Sequence, residues 1–591
     1  MTTHTASRPP AGDVLLFQVG VGLLVLGWSA PNVAALVWSG TGWTPTDVTG
    51  LAEAYGNLFR PERIAGAGLA GPWFGATTLT LIVAALTGAV CAAVRRQTHR
   101  RAELSGLASR TDLRRLSRKS LLASSNTIIG RSTDNPEEVG LLVGRERHTR
   151  SEVWLSKEST VLVLAPPRAG KTTGIVAPAV ADHHGPVIVT GVRHDVLELT
   201  HAWRQRFDAP LYLCEPMLDD HFALPTGVQR VRWSPLAGCD DYLTAQLRSE
   251  AFFAAIPKGG SNDEFWRAAG QQLLAGYLMA AAVSDARITD VVRWVDRSSD
   301  LTPAELLRTH AASLDGDDAS TVTAVAGQLE AAIGQDPRYK AGVTGQAQQA
   351  IAPFRVPQIR GMCDVPVAES FDARQFLERG ATIWMLGSES EQSQAAGVCT
   401  ALTAAIIEEA RRLARATPGG RLQPPLLAAL DEVVNTAPVP RLEQLLATGG
   451  GSGIQTIVVL QSMAAARNKW GRELGDALLD FNNAKIVLGG LSDAQDLADL
   501  STLLGQRDER VIQTSHSGRV GVLEANDYSW SWRQVPVMRP DEIRSIDSEH
   551  RHEALLITRA AKGVLIRQQR IYERTPPHPG THARRRKTRR T

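Results

Sequence analysis

Cysteine is scarce in this sequence and is never clustered. The five cysteines among 591 residues form no CxxC pair and no group with histidine: Cys91, Cys214, Cys239, Cys363 and Cys399. The sequence therefore supports neither a disulfide scaffold nor a zinc site. It is typical of a chain that lies mostly in a reducing cytoplasm.

Excess charge is also lacking, since the formal net charge is only +3. The average composition therefore gives no sign of a polyelectrolyte partner. The distribution says more, because arginines crowd residues 95–119 and the run 584–590 is almost entirely cationic. We expect the tail 572–591 to be disordered. Its basic residues are compatible with nucleic-acid contact, with anionic-lipid contact or with a solvated tail.

Two long apolar runs stand near the N-terminus. Residues 14–38 are nearly all apolar and residues 73–94 carry no charge, and each is long enough for the about 20 residues that span a bilayer as a helix. The arginine cluster after Val94 predicts a cytoplasmic flank. We therefore predict a membrane anchor over 1–94 with two transmembrane helices, in the cell (plasma) membrane, with everything that follows cytoplasmic. A signal peptide is the alternative for the first run, and a buried core helix for the second.

An α/β pattern follows a basic linker or stalk over 95–150. With 43% hydrophobic residues the chain can bury a sizeable core, and its length predicts two or three domains. Apolar strand-like runs separated by helical stretches predict a parallel sheet. These runs are 161–165, 187–190, 211–214, 382–387, 426–430, 455–460 and 485–489.

One interval shows helical spacing and no strand pattern. Its clearest apolar face consists of Phe265, Trp266, Ala269, Leu273, Leu274, Tyr277 and Leu278. We predict an all-α domain over 241–370, inserted between the two parts of the α/β domain, 151–240 and 371–571. Trp266 is expected in the helix core, with a base-stacking platform as the alternative.

A phosphate-binding loop is predicted where the first apolar run ends. The run is followed by Ala165, Pro166, Pro167, Arg168, Ala169, Gly170, Lys171, Thr172 and Thr173. This matches GxxxxGK[ST] except that alanine replaces the first glycine. Successive backbone N–H groups and a helix N-terminus favour phosphate here. Lys171 is predicted to neutralise the β- and γ-phosphates and Thr172 to ligate Mg²⁺. The alternative is a chance turn of small residues.

Two adjacent carboxylates end the apolar run PLLAALDE at 425–432. Asp431 is placed to hold the Mg²⁺ shell, and Glu432 to orient or deprotonate the attacking water. The next predicted strand ends at Gln461, which is placed to sense the γ-phosphate. Polar residues at strand ends are common, so the weight of these three comes from their place downstream of the phosphate loop. ATP and Mg²⁺ are the predicted cofactors.

These segments together resemble the type IV secretion coupling proteins, the TraG/TraD-like conjugation ATPases. The matching segments are APPRAGKTTGIVAPAV (165–180), VIVTGVRHDVLELT (187–200), WSPL (233–236), EFWRAAGQQLLAGYL (264–278), LDEVVNTAPVPRLEQLLATGGGSGIQTIVVLQS (430–462) and NNAKIVLGGLSDAQDLADLSTLLG (482–505). They cover most of 160–505 in the family's order. The resemblance implies a RecA-like P-loop NTPase domain with an inserted all-α domain, preceded by two transmembrane helices.

The resemblance also implies a function and a set of roles. The family's members are hexameric, ATP-driven pumps that deliver relaxase-bound DNA in single-stranded form, or a protein, to a type IV secretion channel. By their match to the family motifs, Glu432, Lys171 and Gln461 are the predicted catalytic residues, and Thr172 and Asp431 the predicted Mg²⁺ ligands. The implied partners are DNA, the relaxase, the channel components, the membrane and further copies of the chain in a homo-hexamer.

Two departures from the family pattern stand out. Relatives often carry an arginine that reaches a neighbouring subunit's nucleotide, in the turn that is occupied here by three glycines at 449–451. No arginine finger is therefore assigned, and Arg441 and Arg467 are only nearby candidates. The segment VRHD at 192–195 also lacks the lysine that many relatives show.

Two other functions remain open at this point. A chromosome-segregation translocase resembling FtsK is the first, although the segment after residue 572 is too short for its DNA-reading domain. The second is a membrane-anchored recruitment scaffold that binds nucleotide without turnover. The inserted all-α domain is the candidate for cargo selection, so its deletion is expected to leave nucleotide binding intact and to abolish relaxase binding.

Overall fold

The computed structural model describes residues 106–219, 221–256, 263–387, 392–515 and 527–576. The chain divides into two compact units, Met1–Ser105 and Gly106–Thr591, and the described residues all belong to the second. Both predicted transmembrane helices lie outside the described residues, as does the predicted tail beyond residue 576. Within the described part of the chain no helix is long and apolar enough to cross a membrane.

Fourteen strands are formed by the described residues. They are β1 Gly140–Glu146, β2 Glu152–Ser156, β3 Val161–Leu164, β4 Val187–Gly191, β5 Leu211–Cys214, β6 Val228–Arg230, β7 Thr382–Leu386, β8 Leu426–Leu430, β9 Ile454–Leu460, β10 Ala484–Val487, β11 Gln506–Ser515, β12 Asp527–Pro536, β13 Glu553–Thr558 and β14 Ala561–Arg567.

The α-helices of the described residues fall before, between and after these strands. They are α1 Arg110–Arg115, α2 Arg118–Ala123, α3 Ser125–Ile129, α4 Ala177–Asp182, α5 Asp195–Arg204, α6 Tyr242–Ala255, α7 Asp263–Ala282, α8 Ile288–Asp296, α9 Thr302–Ala311, α10 Gly316–Ile333, α11 Pro337–Ile351, α12 Pro357–Cys363, α13 Ala373–Glu378, α14 Gln392–Ala416, α15 Leu442–Thr448, α16 Met463–Trp470, α17 Arg472–Phe481, α18 Ala494–Leu504 and α19 Pro540–Arg544.

Twelve of the strands form one mixed sheet in the order β2-β1-β14-β13-β10-β3-β9-β8-β4-β7-β5-β6. From β10 to β6 all neighbours are parallel, and from β10 back to β2 they are antiparallel. The remaining two strands, β11 and β12, pair as a separate antiparallel hairpin. The α/β fold predicted from the sequence is therefore confirmed, with an antiparallel extension that was not predicted.

The seven strands predicted from apolar runs are all present, within two residues at each end. They lie in the parallel part of the sheet, where both faces are covered and a strand is apolar throughout. In β3, for example, Leu162 and Leu164 enter one core cluster and Val161 and Val163 the other. Strands with mixed patterns, such as β1 and β14, lie at the antiparallel end and were not predicted.

Residues 95–150, predicted as a linker or stalk, contribute to this sheet and its cover from residue 106 onward. The helices α1 and α2 begin at capping serines, Ser109 and Ser117, and bury leucines such as Leu113 and Leu121. Their arginines occupy the exposed side, so composition alone suggested a linker. Strand β1 begins before the predicted boundary at residue 151 and pairs with both β2 and β14.

Between β6 and β7 the described residues form helices and turns only, which is where the all-α domain was predicted. Most of the predicted apolar face is buried, but Phe265 is 61% exposed. Trp266 packs against Tyr339 with 5.5 Å between ring centroids, and it is partly buried against the main core. This position agrees with the helix-core interpretation of Trp266.

Candidate nucleotide-binding site

The predicted site residues lie where three neighbouring parallel strands end. In the ladder β3-β9-β8, Leu164 pairs with Leu460 and Leu430 pairs with Val458. The loops that follow these strands leave the same edge of the sheet. The crossover connections thus bring segments nearly 300 residues apart in sequence into contact.

The loop 165–173 leaves β3 and enters a helix. Ala165 continues the ladder, since its N–H donates to the Leu460 carbonyl at 3.1 Å, and its side chain is fully buried. Its φ is not positive, so no glycine is required at this position. Positive φ values occur instead at Arg168 (65°) and Gly170 (85°). The departure from the glycine of the motif therefore has a local explanation.

The helix after the loop opens with a wide turn. Residues Thr172–Val176 are π-helical and α4 follows directly. Pro178 has no N–H to donate to the carbonyl four residues earlier, which accounts for a disturbed hydrogen-bond ladder here. Backbone bonds nevertheless begin at the loop, because the Gly174 N–H donates to the Gly170 carbonyl at 2.9 Å.

Asp431 meets the helix start directly. The Thr172 hydroxyl donates to Asp431 Oδ2 at 3.0 Å, and Lys171 Nζ lies 3.6 Å from Oδ1. Oδ1 has no hydrogen-bond partner within the described residues. Thr190, which the sequence analysis missed, donates its hydroxyl to the Asp431 carbonyl at 2.8 Å. Burial raises the pKa of the Asp431 carboxyl, with Lys171 acting in the opposite direction.

Glu432 accepts two donors on one oxygen. Its Oε1 lies 2.7 Å from Lys171 Nζ and 3.1 Å from Gln461 Nε2. Glu432 also has a left-handed backbone, with φ of 52°, which few non-glycine residues adopt. The strand end and the turn of 431–436 hold it there, since Glu432 O accepts from the N–H groups of Asn435 and Thr436.

The structure therefore places Lys171, Thr172, Asp431, Glu432 and Gln461 in one hydrogen-bonded group. The other predicted loop residues are not part of this hydrogen-bonded group. Among them Ala165 and Ala169 are buried, whereas Pro167 and Arg168 are exposed.

The glycine turn at 449–451 has no room for the missing arginine at its centre. A Cβ on Gly450 would lie 2.1 Å from the Glu158 carbonyl oxygen, whereas one on Gly451 would meet nothing closer than 3.5 Å. The nearby candidates are engaged elsewhere. Arg441 pairs with Glu250 of α6 at 2.7 Å, and Arg467 pairs with Asp476 at 2.6 Å.

Two further groups near the site were not found from the sequence. In the VRHD segment, His194 Nε2 lies 2.7 Å from Glu215 Oε2 at the end of β5. Arg570, which follows β14, hydrogen-bonds the phosphate loop through the Ala169 and Gly170 carbonyls. Arg570 lies 400 residues from Gly170, and neither position carries a motif that could have linked them.

Comparison with known protein families matches residues 109–589 to the type IV secretory system conjugative DNA transfer family. The chain belongs to this family. The coupling-protein resemblance stated from the sequence is confirmed, and so is the expected function, an ATPase that couples DNA to the type IV secretion system. The family match favours this function over an FtsK-like translocase.

Solved structures of coupling proteins share the fold. The unbound monoclinic form of the bacterial conjugative coupling protein TrwBdeltaN70 is 15% identical with a TM-score of 0.51, covering 71% of this chain and 87% of that one. TrwB in complex with ADP and Mg²⁺ is also 15% identical with a TM-score of 0.50, covering 72% and 87%. At this identity the likeness concerns the P-loop NTPase fold alone. No curated protein matches the chain.

Proposed function

We propose that this coupling protein is a membrane-anchored, homo-hexameric ATPase that uses hydrolysis to move relaxase-bound DNA into the secretion channel. The observation that supports it is the convergence of Lys171, Thr172, Asp431, Glu432 and Gln461 at one sheet edge. Membership of the conjugative DNA transfer family supports DNA and the secretion channel as partners. The apolar runs 14–38 and 73–94 support a membrane anchor.

The proposed metal site fits the residues present. Mg²⁺ prefers hard oxygen ligands, and Thr172 Oγ1 and Asp431 carry them 3.0 Å apart. The buried Oδ1 of Asp431, without a hydrogen-bond partner among the described residues, is available as a ligand. Bound Mg²⁺ would neutralise phosphate charge. The complex of TrwB with ADP and Mg²⁺ supports this assignment.

Glu432 is the proposed general base. Lys171 and Gln461 both contact its Oε1, which leaves Oε2 for a proton of the attacking water. Phosphate oxygens compete with Glu432 for Lys171, so nucleotide binding frees the carboxylate of its closest cation. Gln461 then keeps the carboxylate oriented, and it is placed to respond to the γ-phosphate.

The first experiment is ATP hydrolysis by the full-length protein in lipid nanodiscs, with and without single-stranded and double-stranded DNA. We expect stimulation by DNA, lost in both Lys171→Ala and Glu432→Gln, with nucleotide binding kept only by the latter. Nucleotide binding without hydrolysis in the wild type would reject the motor and leave the recruitment scaffold. Hydrolysis unaffected by Glu432→Gln would reject the assigned base.

The membrane topology is tested separately. Protease protection of sealed inside-out vesicles is expected to spare residues 39–72 and to cleave the chain after residue 95. Release of the protein by carbonate washing would contradict a two-span anchor.

A further inference from the structure

A short segment after β14 packs across the start of the phosphate-loop helix. We call residues 568–574 the C-terminal strap. Its Ile571 enters an apolar cluster with Ala177, Ala181 and Trp203. Its last residue, Arg574, pairs with both oxygens of Asp182, at 2.9 and 2.5 Å. The strap is thus fixed along the helix that carries Lys171 and Thr172 at its N-terminus.

Arg570 is the strap residue that reaches the loop itself. Its Nη1 donates to the Gly170 carbonyl and, at 2.9 Å, to the Thr173 hydroxyl. Its Nη2 donates to the Ala169 carbonyl at 3.2 Å and to the Ser548 carbonyl at 2.6 Å. The residue is only 3% exposed. Burial lowers the pKa of its guanidinium, and Tyr572 and Glu573 offset part of this effect.

Two glycines of the loop and helix make space for the strap. A Cβ on Gly170 would lie 1.5 Å from Arg570 Nη1, and one on Gly174 would lie 2.5 Å from Gln568 Oε1. Gln568 and Arg570 are two residues apart in the strap, and Gly170 and Gly174 are one helical turn apart. Each of these two strap residues therefore meets one of the two glycines. The absence of a side chain at Gly170 therefore makes room for Arg570, in addition to any close approach of phosphate.

The two carbonyls that accept from the guanidinium indicate where the loop's N–H groups point. A trans peptide is planar, so the N–H lies on the opposite side from the preceding C=O. With the carbonyls of Ala169 and Gly170 turned towards Arg570, the N–H groups of Gly170 and Lys171 face away from it. Hydrogen bonds to a charged donor also polarise these peptides, which strengthens their N–H groups as donors to an anion.

We propose that Arg570 is a positioning residue for nucleotide binding. It holds the carbonyls of the phosphate loop so that the N–H groups of Gly170 and Lys171 are presented to the nucleotide's phosphates. The inference rests on the proposed function, since it concerns the same site. Arg570 itself contacts only protein groups, and its effect on the nucleotide is transmitted through the loop.

The test measures the Kd of a fluorescent ATP analogue with Mg²⁺ for the full-length protein. We expect Arg570→Ala to raise this Kd at least tenfold at a temperature well below its Tm. Arg570→Lys keeps the charge but cannot bridge the same set of carbonyls, so we expect an intermediate Kd. Single-stranded DNA affinity serves as the second readout and is expected to stay within twofold.

Arg574→Ala is the matched control, because it removes an ion pair of the same strap that does not touch the loop. We expect it to lower the Tm and to leave the Kd within twofold of the wild type. A wild-type Kd in folded Arg570→Ala would overturn the inference, as would an equal loss in Arg574→Ala. If the wild type bound no nucleotide, the proposed function would fail and this inference with it. If Arg570→Ala does not fold, Arg570→Lys decides: a Kd within twofold of the wild type overturns the inference.

Discussion

At the residue scale, the backbone is strained at Glu432, the proposed general base. Glu432 has φ of 52°, and a left-handed non-glycine residue costs about 1–3 kcal/mol when its surroundings fix it there. The turn after β8 imposes this conformation while Lys171 and Gln461 hold the side chain. The proposed role of Glu432 therefore requires a residue type that is disfavoured in this backbone conformation.

This strain predicts an unusual order of stability. Glu432→Ala and Glu432→Gly both remove the carboxylate, but only glycine adopts the left-handed conformation without a steric penalty. We expect Glu432→Gly to be about 1 kcal/mol more stable than Glu432→Ala in urea unfolding. At Asn435, whose φ is not positive, the same pair of substitutions should give the usual order, with alanine more stable. Equal stability of the two Glu432 variants would show that the backbone is not strained.

A second prediction at this scale concerns Lys157, because burial lowers its pKa to about 7. Arg204 lowers this pKa further, and Glu138 and Glu137 act in the opposite direction. The residue is 2% exposed, and its Nζ donates to the His184 carbonyl at 3.3 Å. A lysine whose folded pKa is lowered destabilises the fold fully below that pKa. The penalty fades as the pH rises from about 7 towards the unfolded value of 10.5.

Lys157→Met is therefore expected to raise the free energy of unfolding at pH 6 by on the order of 5 kcal/mol, because lowering a pKa from 10.5 to about 7 corresponds to about 1.4 kcal/mol for each pH unit. The gain should shrink between pH 7 and pH 10 in chemical denaturation. The exposed Lys119→Met serves as the control and should show no such trend. A gain that is constant with pH would mean that burial does not lower the pKa of Lys157.

At the scale of elements, the turn between α15 and β9 leaves no space for a side chain at its middle glycine, Gly450. Gly450 packs directly on the backbone of the connection between β2 and β3. Strand β2 belongs to the antiparallel extension of the sheet. The connection between β2 and β3 thus occupies the space that a side chain at Gly450 would need, whereas Gly451 leaves room for one.

We predict opposite outcomes for two neighbouring substitutions in this turn. Gly450→Ala places a methyl group against the Glu158 carbonyl and should cost about 2–3 kcal/mol of stability. Gly451→Ala meets nothing closer than ordinary contact distance and should change stability by less than about 0.5 kcal/mol. Thermal unfolding of both variants measures the difference. A tolerated Gly450→Ala would mean that the connection between β2 and β3 moves easily.

At the scale of the whole molecule, the sheet and the helices between β6 and β7 share one core. The same apolar cluster contains Leu164 of β3, Leu430 of β8, Phe252 of α6 and Leu274 of α7. The ion pair between Arg441 and Glu250 spans the same boundary. The helical region is therefore an insertion in sequence that is continuous with the sheet in packing.

This packing changes the expected result of deleting residues 241–370. The sequence alone suggested that nucleotide binding would survive, but the deletion exposes a large part of the shared core to water. We expect an aggregated protein that binds no nucleotide, as judged by size-exclusion chromatography and analogue binding. A monodisperse product that still binds nucleotide would show that the sheet folds alone. Substitutions of exposed residues in the helical region are therefore a better test of its proposed role in cargo selection.

The sequence by itself determined seven of the eight parallel strands, because strands buried on both faces are largely apolar and are followed by recognisable turns. The eighth, the short edge strand β6, is only partly buried and has no apolar run. It also determined Lys171, Thr172, Asp431, Glu432 and Gln461 as site candidates, since each stands at a strand end or helix start. Only the tertiary structure decided their contacts, the antiparallel extension with its mixed burial patterns, and the place of Arg570. The contacts of Lys171 with Glu432, of β1 with β14 and of Arg570 with Gly170 join segments hundreds of residues apart, and no local pattern encodes such a contact.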